Sequence, residues 1–164
     1  MTFKANESLD HYVNKKTKGS LYGVISAIFL FIILNFAFYY NSSSTEIYYI
    51  EIAGAFIISC AGIYSFTVME GVKLNKLVRE ITLVNNDFAF TTYPYRCLFY
   101  IIPPQKYTFN KSGLKIQEVV FPFNSLGLIN NKTYRVNLER SDVYICYECF
   151  PDNLLLELNI KVNS

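Results

Sequence analysis

Two cysteines, Cys146 and Cys149, have the C-x-x-C spacing that is used by zinc sites and by redox-active thiol pairs. A structural zinc ion needs four ligands, and Cys97 supplies at most a third thiolate, with no histidine near it in the sequence. Residues three apart in a continuous strand point to opposite faces, so the two thiols can meet only if the strand ends or bulges near Phe150 and Pro151. We therefore expect ordinary, partly buried cysteines and no metal site.

The remaining inventory of catalytic side chains points away from an enzyme. The only histidine is His11, in a polar N-terminal segment, so a Ser-His-Asp or Cys-His arrangement would require that segment to fold onto the rest of the chain. None of the 7 glycines lies in a G-x-x-x-x-G-K or G-x-G-x-x-G phosphate-binding setting. No two carboxylates align as a catalytic pair. We expect no catalytic residues and no cofactor.

The apolar residues are concentrated between Leu21 and Met69. Residues 21–40 carry no charge, and residues 47–69 carry only Glu51. Each stretch has about the 20 apolar residues that a helix needs to cross a bilayer. A signal peptide also places lysines before an apolar run, but its apolar core is roughly 7 to 15 residues long and ends at small residues. The sequence therefore predicts two transmembrane helices, at residues 21–40 and 47–69.

Basic residues in the flanking segments predict the orientation of this hairpin. The connector at residues 41–46 has no basic residue, whereas both outer flanks do. We expect a two-pass protein of the cytoplasmic (inner) membrane, with both termini in the cytosol, where thiols stay reduced. The net charge of +2 is too small to indicate nucleic-acid binding. The flanking basic residues are Lys4, Lys15, Lys16 and Lys18 before the hairpin and Lys73, Lys76 and Arg79 after it.

Polar and small residues predict how the two helices pack. Glu51, Ala55, Ser59 and Gly62 recur at spacings of four and three, which gives a stripe that allows close helix approach in lipid. Asn35 of the first helix lies at a depth similar to that of Glu51, so the two side chains can share a hydrogen bond. An intramembrane carboxylate can also mark an ion path, but Glu51 lies near the membrane edge, which favours the packing role.

The 10 residues that follow the second helix, residues 70–79, are expected to be a linker that leaves the membrane. Lys73, Lys76 and Arg79 are candidates for contact with lipid headgroups, each contributing about 1 kcal/mol on an anionic surface. Ordinary positive-inside flanking explains the same residues. Residues 1–20 are expected to be a polar cytosolic tail or a short interfacial helix.

Beyond residue 79 the hydrophobic period changes from helical to strand-like. Turn-forming residues separate about seven short runs in residues 80–164, and residues 154–162 show the longest alternation. The sequence predicts an α+β membrane protein: a transmembrane hairpin at residues 21–69 and then a small antiparallel all-β roll, barrel or sandwich. The expected strands are residues 80–84, 88–93, 97–102, 107–109, 114–121, 133–139, 143–149 and 154–162, and the expected core is Ile81, Leu83, Phe88, Phe90, Leu98, Tyr100, Leu114, Ile116, Val119, Val136, Ile145, Leu156 and Leu158.

This layout, with a β domain that begins with R-E-I-T-L-V-N-N-D-F-A-F at residues 79–90, resembles small bacterial membrane proteins that carry a pleckstrin-homology-like or YcxB-like domain. The resemblance is architectural, covers the whole chain and implies a cytosolic domain of that fold. Such domains commonly end with a helix, whereas residues 154–162 alternate as in a strand. No functional residue is carried over from it.

Taken together, these features predict a non-enzymatic accessory or interaction protein that presents its β domain to the cytosol. Its expected partners are membrane lipid and either another protein or a second copy of itself, as in a small subunit of a larger membrane assembly. Two alternatives stay open. One is an immunity or stress-protection protein that neutralises a membrane-active toxin; the other is a lipid-sensing module that uses Lys73, Lys76 and Arg79.

Overall fold

The computed structural model describes residues 1–85, 87–110, 115–119, 133–137 and 142–158, with the side chains of residues 155–157 left out. The fold is α+β, as expected, with two long helices followed by antiparallel sheets. Its N-terminal elements are β1 (Thr2–Lys4), α1 (Glu7–Asn41), α2 (Thr45–Tyr64), a π-helical turn (Ser65–Met69) and α3 (Glu70–Leu74). The later elements are β2 (Val78–Val84), β3 (Asp87–Thr92), β4 (Tyr95–Cys97), β5 (Tyr100–Ile102), β6 (Lys106–Asn110), β7 (Lys115–Val119), β8 (Thr133–Asn137), β9 (Asp142–Cys146), a 3-10 turn (Tyr147–Cys149) and α4 (Asn153–Leu158).

Side-chain caps define where the two long helices begin. Asn6 Oδ1 accepts hydrogen bonds from the amides of Ser8 and Leu9, at 3.1 and 3.3 Å, at the start of α1. Ser44 Oγ accepts from the amide of Ile47 at the start of α2. The short connector between them turns the chain, so that α1 and α2 pack against each other as a hairpin.

Both helices are long and apolar enough to span a membrane. The 18-residue windows with the highest mean hydropathy reach 2.4 in α1 and 1.8 in the helix that runs from α2 through α3. Only 6% and 17% of the residues in these windows are buried inside the protein. Core helices of soluble proteins bury most of such a surface, so these two present their apolar side chains outward.

Residues 1–20, expected as a tail or a short interfacial helix, are part of the folded protein. Strand β1 pairs antiparallel with β2, with Phe3 opposite Ile81. Helix α1 then starts at Glu7 and continues without a break to Asn41. Leu9, Tyr12 and Val13 are buried and recur at helical spacing, so one face of this first part of α1 packs on the β domain.

The described strands of the β domain form three antiparallel sheets: β1-β2-β3-β6, β4-β5 and β7-β8-β9. The first and third share one hydrophobic core, in which Ile81, Phe88 and Phe90 meet Val136 and Ile145. Within the described residues the strands close no barrel, so of the expected forms the barrel is wrong. The physical reason is that, in the described residues, neither edge strand of the first sheet, β1 or β6, pairs with an edge strand of the third, β7 or β9; a single bridge between Leu77 and Tyr144 links the two sheets.

Most of the expected core is confirmed. Six residues are buried, namely Ile81, Phe88, Phe90, Val136, Ile145 and Leu158. Leu83, Tyr100, Ile116 and Val119 are half-buried. Leu98 is 43% exposed, so its placement in the core was wrong. Leu114 and the side chain of Leu156 lie outside the described residues.

The expected strand at residues 97–102 is instead the tip of a β4-β5 hairpin, in which Cys97 pairs with Tyr100. Leu98 and Phe99 form the turn, and Leu98 has a positive φ of 52°. Such a conformation is unfavourable for leucine, so the turn is imposed by the packing of the flanking tyrosines rather than by its own residues. The β2-β3 hairpin, by contrast, is confirmed, with Asn85 at a φ of 50° in its turn.

The predicted strand over residues 154–162 is wrong for the part that the structure describes. Residues Asn153–Leu158 form helix α4, and residues 159–164 lie outside the described part. Leucine is a good helix former, and an i, i+4 pair lies on one face of a helix. Leu154 and Leu158 use that spacing to enter the core shared by the sheets.

Candidate functional site

The predicted stripe of small and polar residues on α2 lies against α1. Ala55 and Ser59 are 4% and 7% exposed. A Cβ atom on Gly62 would lie 3.7 Å from the Cβ of Ala27, so the helices approach closely there. The Ser59 hydroxyl is buried without a hydrogen-bond partner among the described residues. Gly23 of α1 was not among the predicted packing residues. A Cβ atom on Gly23 would lie 2.7 Å from the Phe66 ring, so this glycine also allows the two helices to pack closely.

Asn35 and Glu51 lie near the connector, but the structure gives them separate partners. The Tyr48 hydroxyl donates a hydrogen bond to Asn35 Oδ1 at 3.3 Å. The Ser42 hydroxyl donates to the Glu51 carboxylate. Both bonds join α1 or the connector to α2, so these polar groups hold the closed end of the hairpin together.

The three predicted headgroup contacts lie at the end of α3 and the start of β2. The Arg79 side chain is 55% exposed; its Nε lies 4.0 Å from Asp10 Oδ1, and its guanidinium stands 5.9 Å from the centre of the Tyr93 ring. Lys73 and Lys76 are half-buried. Contact of these three residues with lipid stays a prediction, and Arg79 also contacts the junction between α1 and the β domain.

A groove of about 820 Å³ lies beside the first part of α1. Lys15, Lys16 and Lys18 line it together with His11, and Tyr22 and Phe66 supply apolar walls. In the sequence these lysines predicted only the orientation of the hairpin. Their position immediately before the apolar stretch at residue 21 was the readable sign that they lie together.

The β4-β5 hairpin is attached to the helices through its base. Asn75, which is 8% exposed at the end of α3, donates hydrogen bonds from Nδ2 to the carbonyl oxygens of Tyr93 and Pro103, at 2.6 and 3.0 Å. These two residues flank the hairpin on either side. One amide group therefore ties both strands of the hairpin to the helix that leaves α2.

Two tyrosines of this segment reach the helices with their hydroxyl groups. The Tyr93 hydroxyl donates to Asp10 Oδ1 at 2.7 Å, and the Tyr95 hydroxyl donates to the Phe66 carbonyl oxygen at 2.9 Å. The Tyr95 ring packs so closely on Gly71 that a Cβ there would lie 2.5 Å from it. Gly71 is thus required by this contact.

Burial raises the pKa of all three tyrosines at this junction. Desolvation raises the pKa of Tyr12 to about 12, with the Glu70 carboxylate adding to the effect. Desolvation also raises the pKa of Tyr95 to about 12. The pKa of Tyr93 is raised further, by desolvation first and then by its hydrogen bond to Asp10. The three hydroxyls therefore stay neutral to a higher pH than an exposed tyrosine does, and those of Tyr93 and Tyr95 donate the hydrogen bonds described above.

Cys146 and Cys149, expected as ordinary, partly buried cysteines, are brought together because the strand ends between them. Strand β9 ends at Cys146, and the 3-10 turn that follows places the two Sγ atoms 3.2 Å apart. Both thiols are buried, and their shared hydrogen bond raises the pKa of Cys146, which burial raises further, and lowers the pKa of Cys149. The Asn6 amide donates to the Cys149 carbonyl oxygen at 2.7 Å, so this turn supports the start of α1.

The other candidates for chemistry stay apart. His11 is exposed on α1, and Cys97 is buried in the cluster that also holds Cys146 and Cys149. Over the described ranges, no three histidine, cysteine or acidic side chains are grouped so that they could hold a metal ion.

Comparisons with protein-family models, with curated proteins and with solved structures find no match to this chain.

Proposed function

We propose that this chain is a two-pass protein of the cytoplasmic membrane whose β domain serves as a non-enzymatic interaction module on the cytosolic side, as an accessory subunit of a larger assembly. The observation that carries this proposal is the unbroken helix α1. Its first turns pack on the β domain, and its later turns expose apolar side chains. One continuous helix thereby joins the proposed membrane anchor to the β domain.

The exposed apolar surface supports insertion into lipid. Large apolar side chains of α1 and α2 point outward along the whole predicted spans, including Phe29, Ile33, Ile50 and Ile57. Soluble monomers rarely expose so large an apolar patch. Lipid is the surrounding that such a surface needs.

The same helix argues against a cleaved signal peptide. Cleavage after residue 40 would remove Phe3, Leu9, Tyr12 and Val13 from the hydrophobic clusters of the β domain. Burying such side chains contributes about 1.5–3 kcal/mol each. A domain of this size cannot lose that contribution and stay folded.

The hairpin also supports the same location for both ends of the chain. Strand β1 pairs with β2, so the N-terminus and the β domain lie at one end of the helix pair, with residues 42–44 at the other. The lysines before the first apolar stretch and after the second lie at that first end. By the distribution of basic residues, that end faces the cytosol.

Two measurements test the anchoring part of this proposal. In native membranes, the full-length chain should resist extraction by alkaline carbonate. A cytosol-active reporter should work when fused at either terminus, whereas an export-dependent reporter should work only when inserted between Ser43 and Ser44. Release by carbonate, or export of a C-terminal fusion, would overturn the proposal.

The interaction part is tested by photo-crosslinking in cells. A photoreactive residue at Thr108, on the exposed face of β6, should give one discrete product of higher mass in native membranes. The same residue at Phe29, on the lipid-facing surface, serves as the control and should give no such product. A chain that runs only as a monomer in mild detergent and forms no crosslink from Thr108 or from other exposed β positions would contradict an interaction role.

Binding of anionic lipid is a second candidate, and the lysine-lined groove favours it. Lys15 lies about 9 Å and Lys18 about 4.5 Å before the start of the apolar stretch, by the helical rise, which is the depth of lipid headgroups. Anionic lipid added to the detergent-solubilised protein should raise its melting temperature more than neutral lipid does. A Lys15→Gln, Lys16→Gln, Lys18→Gln triple variant should lose this difference, and a Lys106→Gln, Lys115→Gln control on exposed strand positions should keep it. If anionic lipid raised the melting temperature of both variants equally, the groove would not be the lipid-binding site.

We also propose that the β domain is pleckstrin-homology-like. Helix α4, which follows the last described strand, supports this because such domains commonly end with a helix. An experimental structure in which the sheets had a different closing element would contradict it.

A further inference from the structure

The tip of the β4-β5 hairpin is the most exposed apolar feature of the β domain. Phe99 is 99% exposed, and its neighbours Leu98 and Ile101 are 43% and 59% exposed. The adjacent Arg96 is exposed as well. A turn made of leucine and phenylalanine, held in a conformation that leucine disfavours, has no explanation in the stability of the domain.

Contacts with α1 show in which direction this hairpin runs. At its base, Tyr93 donates to Asp10 of α1. Farther along, the Tyr95 hydroxyl donates to the carbonyl oxygen of Phe66, whose ring lies against Gly23 of α1, 13 positions after Asp10. The hairpin therefore runs along α1 toward the apolar stretch.

Contacts with the second helix give the same direction. The base of the hairpin is tied to Asn75 through Tyr93 and Pro103. Its middle packs on Gly71 through Tyr95, whose hydroxyl reaches the carbonyl oxygen of Phe66. Along this helix too, the hairpin runs from the distal end toward the membrane-facing residues.

The tip therefore lies level with the edges of the two apolar stretches. Phe66, which the Tyr95 hydroxyl reaches, lies just inside the end of the second stretch, and its ring lies against Gly23, just inside the start of the first. Leu98 and Phe99 follow Cys97 directly and lie on the membrane side of it. Arg96, one step back, is at the depth of the headgroups, as are the lysines of the groove.

We propose that the β4-β5 tip inserts Leu98 and Phe99 into the acyl-chain edge of the cytosolic leaflet, with Arg96 at the phosphates. Lipid is the occupant because the tip continues the apolar surface of the spans at their own edge, and because basic side chains lie at the level above it. The inference rests on the proposed membrane anchoring. It adds a third contact between protein and bilayer, made by the β domain itself.

The chain has no tryptophan, so a single introduced tryptophan reports its own surroundings. Three full-length variants are purified and reconstituted in phosphatidylcholine-phosphatidylglycerol vesicles: Phe99→Trp at the tip, Phe29→Trp in the first span, and Val84→Trp at the far end of β2. All three positions are exposed, so none of the substitutions disturbs the core. Circular dichroism checks that each variant is folded.

Quenching by brominated lipids distinguishes the outcomes. Emission of Phe99→Trp should be blue-shifted relative to Val84→Trp, strongly quenched by bromines near the headgroup end of the acyl chains, and protected from aqueous iodide. Phe29→Trp should be quenched most by deeper bromines, and Val84→Trp should be quenched by iodide alone.

If Phe29→Trp is quenched by lipid but Phe99→Trp behaves like Val84→Trp, the tip proposal fails while the anchoring proposal stands. If Phe29→Trp is not quenched by lipid, the anchoring proposal fails and the tip proposal fails with it. If Phe99→Trp is protected from iodide but not quenched by brominated lipids, protein covers the tip, and lipid insertion is again refuted.

Discussion

Replacing Asn75 by alanine should loosen the β4-β5 hairpin and destabilise the β domain. The Asn75 amide donates two hydrogen bonds, to the carbonyl oxygens of Tyr93 and Pro103, and the side chain is nearly buried. Each hydrogen bond contributes about 1 kcal/mol, and an unpaired buried acceptor adds a penalty of about 1–3 kcal/mol. The surroundings of Pro103 are partly open to water, so we expect a total loss of about 2–4 kcal/mol.

The assay is thermal unfolding in mild detergent, followed by circular dichroism in the β region. For a domain of this size, a loss of 2 kcal/mol corresponds to a drop in melting temperature of about 10 °C. Trypsin provides a second readout, because Arg96 is exposed on β4. Cleavage after Arg96 should be faster in the variant, since the base of the hairpin opens more often.

Asn14→Ala is the matched control, because this asparagine is exposed on α1. Its effect should stay within about 0.5 kcal/mol. An Asn75→Ala variant that loses less than about 1 kcal/mol and is cut at Arg96 no faster than the parent would refute the assignment of Asn75 as the tie between helix and hairpin.

Asn75→Asp tests the same site through pH. An aspartate side chain has nearly the same shape as that of asparagine, but its carboxylate would face two carbonyl oxygens. Burial and these acceptors therefore raise the pKa of the introduced aspartate in the folded state above its unfolded value. Stability is then present below the unfolded pKa and is lost as pH rises through the folded pKa. The variant should be less stable at about pH 8 than at about pH 5, whereas Asn75→Ala should show no such added slope.

Three further predictions concern the junction and the thiols. Gly71→Ala should lower the free energy of unfolding by about 1–3 kcal/mol, because its Cβ would clash with a tyrosine ring. Gly19→Ala, with open space around its Cβ, should leave the stability unchanged or raise it slightly in the same thermal melts. Burial and a hydrogen bond raise the pKa of Tyr93 in the folded state. The resulting stability is present below the unfolded pKa of about 10 and is lost as the pH rises above it toward the folded pKa. Tyr93→Phe should therefore reduce the loss of stability that a pH titration shows above about pH 10. Mild oxidation with diamide should join Cys146 and Cys149, seen by mass spectrometry as the loss of two hydrogens, since their sulfurs are already 3.2 Å apart; a Cys149→Ser variant that still lost them would contradict the pairing.

The parts of this fold that could be predicted from the sequence are those set by long, uniform patterns. The two apolar stretches are each long enough that only a helix satisfies their backbone in lipid, and the stripe at Ala55, Ser59 and Gly62 follows from helical spacing. The β2-β3 hairpin was also predicted, because asparagines tolerate the turn that joins its strands.

The wrong predictions concern elements whose structure is decided by contacts between residues that are distant in sequence. Leu154 and Leu158 satisfy a strand alternation and a helical i, i+4 spacing equally, and the shape of the core selects the helix. Leu98 and Phe99 have no turn propensity, and their turn is set by tyrosines packed on α3. Contacts such as that between Tyr93 and Asp10, 83 positions apart, leave no local pattern, although the spacing of Leu9, Tyr12 and Val13 was a readable sign that residues 7–20 pack on something.

Helix α1 runs without a break from the β domain into the first apolar stretch. Glu7 lies about 20 Å from Ser20 along the helix axis, so a tilt of 10° about Ser20 moves the β-domain end by about 3 Å. Membrane-spanning helices tilt as the hydrocarbon layer thins or thickens. In the proposed membrane orientation, such a change in thickness would alter the angle of the β domain to the bilayer, because β1 and the buried face of α1 pack on the sheets.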